Sequence, residues 1–83
     1  MSEYHSLHEL KPGQSATIAA VNVPEPAGQR LLELGMTAGA RIACLQRAPG
    51  GDPTAYRFQG VTVALRSSEA EYIRVEELTN GAE

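Results

Sequence analysis

Period-two alternation is clearest in the second half of the chain. In Val61-Thr62-Val63-Ala64-Leu65 the apolar residues at 61, 63 and 65 share one face, the signature of a half-buried strand. Residues 55–59 predict the strand before it, where Tyr56 and Phe58 alternate with Arg57 and share a face, and Gly60 separates the two. Across 40–47, Ile42 and Cys44 point one way while Arg41, Ala43 and Arg47 point mainly the other. Leu45 breaks the alternation, which implies a bend, a bulge or burial on both faces. Residues 15–22, with Ile18, Val21 and several alanines, read as a first strand. Ile73 and Val75 enter a last one ending near Leu78.

Helical spacing is confined to 27–34. Leu31 and Leu34 stand at i and i+3, Leu32 is displaced by about 100° around the wheel, and Arg30 and Glu33 are spaced to pair outward. Pro24 and Pro26 make the approach a connector, and Gly28 weakens the first turn by up to about 1 kcal/mol relative to alanine. Gly35 ends the helix and Gly39 makes the next turn, both with positive φ expected. Ser6-x-x-Glu9 and Ser68-x-x-Glu71 each fit the capping box of a short turn, and residues 48–53 form a loop by composition. The pattern therefore predicts a mainly β domain of about five strands with a helix inserted after the first. Its expected core is Ile18, Leu31, Leu34, Ile42, Val63, Leu65, Ile73 and Val75. Residues 1–78 form the domain and 79–83 a flexible tail.

Composition narrows the picture. A chain of 83 residues is one small domain, and its single cysteine permits no internal disulfide, so stability rests on packing. Cys44, in an apolar strand, reads as a small buried hydrophobe. Three tyrosines, one phenylalanine and no tryptophan are too few to line a proline-peptide groove, so Tyr56 and Phe58 read as core or rim packing. A formal charge of −3 provides no long-range attraction to nucleic acid or anionic lipid. No apolar run approaches membrane-spanning length and no secretory signal opens the chain, so a soluble cytoplasmic protein is expected, without membrane insertion.

Candidate chemistry is sparse. His5 and His8, three apart with Glu9 beside them, are weak surface candidates for adventitious zinc or iron, and no complete ligand set or resident cofactor is implied. No nucleophile elbow and no phosphate-binding glycine loop exists, since Gly50-Gly51-Asp52 lacks a following Lys-Ser/Thr; no catalytic residue is assigned. The inserted helix is the better surface. Leu32 lies off the buried stripe and could join Met36 in a partly exposed apolar patch flanked by Arg30, a partner-binding candidate, against the alternative that both leucine and methionine lie in the core.

The ordered series Leu7-His8-Glu9-Leu10-Lys11-Pro12-Gly13, Arg30-Leu31-Leu32-Glu33-Leu34-Gly35-Met36, Ala48-Pro49-Gly50-Gly51-Asp52-Pro53, Gly60–Arg66 and Ser68–Val75 resembles the FeoA family across nearly the whole chain. Ala38 departs from it where proline is common, and Gly50 where an apolar residue often lies. The resemblance implies an SH3-like barrel and a non-enzymatic accessory role in bacterial ferrous iron uptake, exercised by contact with FeoB, a membrane transporter carrying a GTPase domain. The same domain resembles the C-terminal module of iron-dependent repressors, which implies as the alternative a metal-responsive regulatory module.

Overall fold

A computed structural model describes residues 4–81. Six strands form one antiparallel sheet: β1 (His5–Ser6), β2 (Ser15–Val21), β3 (Arg41–Arg47), β4 (Thr54–Phe58), β5 (Val61–Leu65) and β6 (Ile73–Thr79), in the order β1-β6-β2-β3-β4-β5. A 3₁₀ turn (Leu7–Glu9) precedes β2, helix α1 (Ala27–Glu33) joins β2 to β3, and α2 (Ser67–Ala70) joins β5 to β6. The sheet curls around one core in the barrel-like manner of SH3 domains. The sixth strand, β1, has two residues, too few to register as alternation.

Strand β2 does most of the curling. It pairs with β3 on one side and β6 on the other, and its register against β6 shifts twice, between Ser15 and Thr17 and between Ile18 and Ala20. Small side chains at Ala16, Ala19 and Ala20 allow that bending. The break at Leu45 is a bulge, since the β3/β4 register shifts between Cys44 and Gln46. Between β4 and β5 there is no shift. Gln59 and Gly60, at φ 53 and 79, form a two-residue hairpin loop of the type that matches strand twist.

The buried cluster contains Leu7, Leu10, Ile18, Leu31, Met36, Ile42, Cys44, Tyr56, Phe58, Leu65, Ile73 and Val75. Two expected core members differ. Val63 is only half-buried because β5 is an edge strand, and Leu34 is 49% exposed. The helix stops at Glu33 with Leu34 as its C-cap, and Gly35, at φ 91, reverses the chain. The Met36 N–H then bonds the Leu31 carbonyl at 3.1 Å and the Gly35 N–H bonds Leu32 at 2.9 Å. These are the two bonds of a Schellman motif, which brings the residue after the glycine back against the last buried helical turn. Met36 therefore fills the place expected of Leu34, and is fully buried.

Other local expectations divide. Ser6 and Glu9 form the capping box: the His8 N–H donates to Ser6 Oγ at 3.1 Å and the Ser6 N–H to Glu9 Oε2 at 3.1 Å. At α2 the box expected from Ser68 and Glu71 is displaced by two residues, with Glu69 Oε1 accepting the Arg66 N–H at 2.9 Å. Asp52, from the loop between β3 and β4, accepts the Ser67 N–H at 2.8 Å. A cap supplied by a distant loop has no local sequence signal. Arg30 does not pair with Glu33, which receives Gln29 Nε2 at 3.3 Å; the acid near Arg30 is Glu69, at 3.9 Å. Gly28 is more than a weak helix former, because a Cβ there would run into the Val23 carbonyl oxygen.

Two arginines bind the layers together. Arg47 donates to the carbonyls of His8 and Leu10 at 2.9 and 2.7 Å, and to Thr54 Oγ1 at 3.2 Å, which fastens the 3₁₀ turn over one end of the barrel. Arg41 donates to Thr17 Oγ1, Ser15 Oγ, Thr79 Oγ1 and the Glu77 carbonyl at 2.9 to 3.2 Å, tying β3 across β2 to β6. Strand β6 thus takes in Thr79, the first residue of the segment read as a tail. The Gly81 carbonyl accepts from the buried Ser15 hydroxyl at 2.6 Å, and residues 82 and 83 lie outside the described residues.

Three outcomes are expected. In denaturant unfolding, Met36→Ala costs about 2–5 kcal/mol and Leu34→Ala under about 1 kcal/mol, the reverse of what helical spacing alone implies. Gly28→Ala, favourable by helix propensity, destabilises by about 1–3 kcal/mol in the same assay because the added methyl meets backbone. The third concerns acid. The Ser6 N–H first, and His5 second, hold the Glu9 carboxyl below its ordinary 4.5. A carboxyl depressed on folding contributes stability that is present above its unfolded pKa and lost as pH falls through the folded one. Glu9→Gln should therefore flatten the loss of thermal stability between about pH 5 and pH 3.

Candidate functional site

Among the described residues five large apolar or aromatic side chains are left in water: Tyr4 and Tyr72 on one side, Leu32 and Leu34 at the end of α1, and Val61 at the start of β5. Leu32 is 56% exposed, Leu34 49% and Val61 54%. Leu34, Phe58, Gln59, Val61 and Val63 line a shallow groove of about 60 Å³, with apolar walls and the Gln59 amide at one side. Helix geometry explains the exposure of Leu32: Leu31 takes the one buried position of a seven-residue helix, and its neighbour must point away. Leu34 joins it because the Schellman turn gives its core place to Met36.

Of the expected partner-binding set, Leu32 and Arg30 lie on the surface and Met36 does not. The Arg30 side chain is largely exposed, and its contact with Glu69 at 3.9 Å is a loose solvent-facing pair. The surface member that spacing missed is Leu34. Its signal was present, since glycine at C′ followed by an apolar residue marks that residue as buried. Val61 was also missed, because alternation fixes which face a side chain shares but not whether the strand lies at an edge.

His5 Nδ1 lies 3.2 Å from Glu9 Oε1, within the capped turn, and His8 is exposed. Among the described residues no group of three or more His, Cys, Asp or Glu side chains is placed to hold a metal ion. The remaining chemistry is quiet. Burial pushes the Cys44 thiol above its ordinary value despite Arg47 nearby, so it stays protonated at neutral pH and is a poor nucleophile. Burial likewise pushes Tyr56 up to about 12, and its hydroxyl donates to the Leu7 carbonyl at 3.5 Å. Both groups belong to the core. Among the described residues no helix is long and apolar enough to cross a membrane.

Comparisons with known proteins bear on this arrangement. The FeoA domain matches residues 5–77. FeoA of Chlorobium tepidum is 40% identical, with a TM-score of 0.79 over 87% of this chain and 69% of its own. FeoA of Stenotrophomonas maltophilia, solved as a zinc complex and described as a prokaryotic SH3-domain protein, is 28% identical. Its TM-score is 0.83 over 94% of this chain and 99% of its own. A fusion protein of Porphyromonas gingivalis joins Fe(2+) transport protein A to the Fe(2+) transporter FeoB. It is 37% identical over 76 residues, which are 92% of this chain and 9% of that protein. A manganese-dependent transcriptional repressor shares the fold alone, at 20% identity and a TM-score of 0.74. The matched domain, from the first strand into the last, shows that this chain belongs to the FeoA family.

Proposed function

We propose that this chain is a non-enzymatic accessory protein of bacterial ferrous iron uptake that acts in the cytoplasm by docking with an FeoB-type membrane GTPase transporter. The observation that carries the reading is the Porphyromonas gingivalis fusion, in which an FeoA module and the transporter share one polypeptide. Covalent linkage fixes two modules at high effective concentration, an arrangement suited to domains that work in contact. The apolar side chains exposed at the end of α1, Leu32 on one side and Leu34 beside Val61 on the other, suit such a contact, because interface affinity concentrates in a few apolar anchors that lose water. Arg30, loosely held by Glu69, borders this surface and is available to a partner acid. Met36 acts from beneath by holding the turn that presents Leu34. No catalytic group is required of the chain, and adventitious zinc or iron at His5 and His8 plays no part in the docking. The likeness to the repressor carries fold without function and supports no second reading.

The test is titration of the transporter's purified cytoplasmic region with this chain. Leu32→Gln should weaken association roughly tenfold or more, with circular dichroism and melting unchanged. Unchanged affinity in a folded Leu32→Gln variant, and again in Leu34→Gln, would move the interface elsewhere.

A further inference from the structure

Strand β5 ends the sheet with its outer side open. The hairpin loop of Gln59 and Gly60 makes Phe58 and Val61 a hydrogen-bonded pair, so alternation along the ladder turns Val61, Val63 and Leu65 toward β4. Thr62 and Ala64 consequently direct their N–H and C=O groups away from it. Among the described residues no hydrogen bond reaches these four groups, and both residues are exposed. Edge strands are ordinarily blunted by charge, proline, a bulge or very short length. Strand β5 has none of these: Val-Thr-Val-Ala-Leu is uncharged, its register is unbroken, and it runs five residues. The opposite edge, β1, is blunted by its two-residue length.

We infer that this edge pairs with a second copy of the chain, β5 against β5 in antiparallel fashion, about a two-fold axis at Val63. That register pairs the outward groups of both Thr62 and Ala64 with one another across the two copies, within the strand. Thr62 faces Ala64 of the second copy and exchanges two hydrogen bonds with it, Ala64 does the same with Thr62 of the second copy, and the two Val63 residues meet as the close non-bonded pair. All four orphan groups of each copy are then satisfied. No charge lies between Gln59 and Leu65 to oppose the approach, although each chain carries a net charge of −3. Val61 comes opposite Leu65 of the second copy, so the pairing also covers apolar side chain left in water. A strand pair of this length falls below the usual area of a stable interface, which makes the dimer weak, with Kd on the order of 100 μM. The inference goes beyond the transporter contact and does not depend on it.

The test is sedimentation velocity on the full chain from about 10 μM to about 1 mM, spanning that affinity, with amide exchange followed by NMR. The mass should rise toward two copies, and the Thr62 and Ala64 amides should gain protection as concentration rises. Thr62→Pro removes an outward donor without touching the β4 ladder, and Ala64→Lys puts charge on the edge; each should weaken self-association at least tenfold with the fold unchanged. Mixing Thr62→Glu chains with Ala64→Lys chains should restore association above either alone, because the register places those residues opposite one another. A wild-type chain that stays monomeric at the highest concentration, or a dimer indifferent to both edge variants, overturns the inference. Protection at Thr62 and Ala64 that appears only when the transporter's cytoplasmic region is added also overturns it and assigns the edge to that partner.

Discussion

Tyr56 and Phe58, two residues apart on β4, supply the packing on which the remainder of the barrel depends. They are two of the four aromatic residues in the chain, both buried, and each stands between small or apolar neighbours in the sheet. Tyr56 pairs with Cys44 and Val63, and Phe58 with Ile42 and Val61. Each ring brings on the order of 150–250 Å² into the core, area that a chain rich in alanine has few other means to bury. The hydroxyl of Tyr56 is accommodated because the 3₁₀ turn presents the Leu7 carbonyl to it. The same turn inserts Leu7 and Leu10, both fully buried, into the end of the barrel.

With no disulfide, the layers are held in register by polar contacts that are fully satisfied. No buried side-chain nitrogen or oxygen among the described residues lacks a partner. Arg47 and Arg41 account for much of this, since a guanidinium presents several donors in a fixed plane and can satisfy acceptors on different strands together. Arg47 closes one end of the barrel. Arg41 engages Ser15, Thr17 and Thr79, and the chain at Glu77 adopts φ 56 with its carbonyl directed to that guanidinium. The buried Ser15 hydroxyl would otherwise carry a desolvation cost on the order of 1–3 kcal/mol.

So compact a barrel leaves little surface with distinctive chemistry, which is why its apolar exposure stands out. The end of α1 and the start of β5 lie together because the hairpin loop and the Schellman turn bring Gln59, Val61 and Leu34 to one groove. Among the described residues no group of three or more His, Cys, Asp or Glu side chains lies there to hold a metal ion. A family whose relatives include a covalent fusion with a transporter is consistent with a module that works through contact.

The sequence by itself determined five of the six strands, the inserted helix, the first capping box, a break in alternation at Leu45 and the burial of Cys44, because each follows from local periodicity or from the conformational needs of single residues. It also contained the ordered motifs by which the FeoA family is recognised. Which apolar residues stay in water was settled by the completed structure, in part by a turn whose glycine signal the sequence carried and in part by strand order, which has no local signal. Leu34 and Met36 exchange places through a turn closed over the Leu31 carbonyl, and Val61 is exposed and Val63 only half-buried because β5 is the last strand of the sheet. The capping of α2 by Asp52 and the pairing of Arg30 with Glu69 rather than Glu33 join residues far apart in the chain. Periodicity reports a face, whereas exposure depends on what the completed fold places against that face.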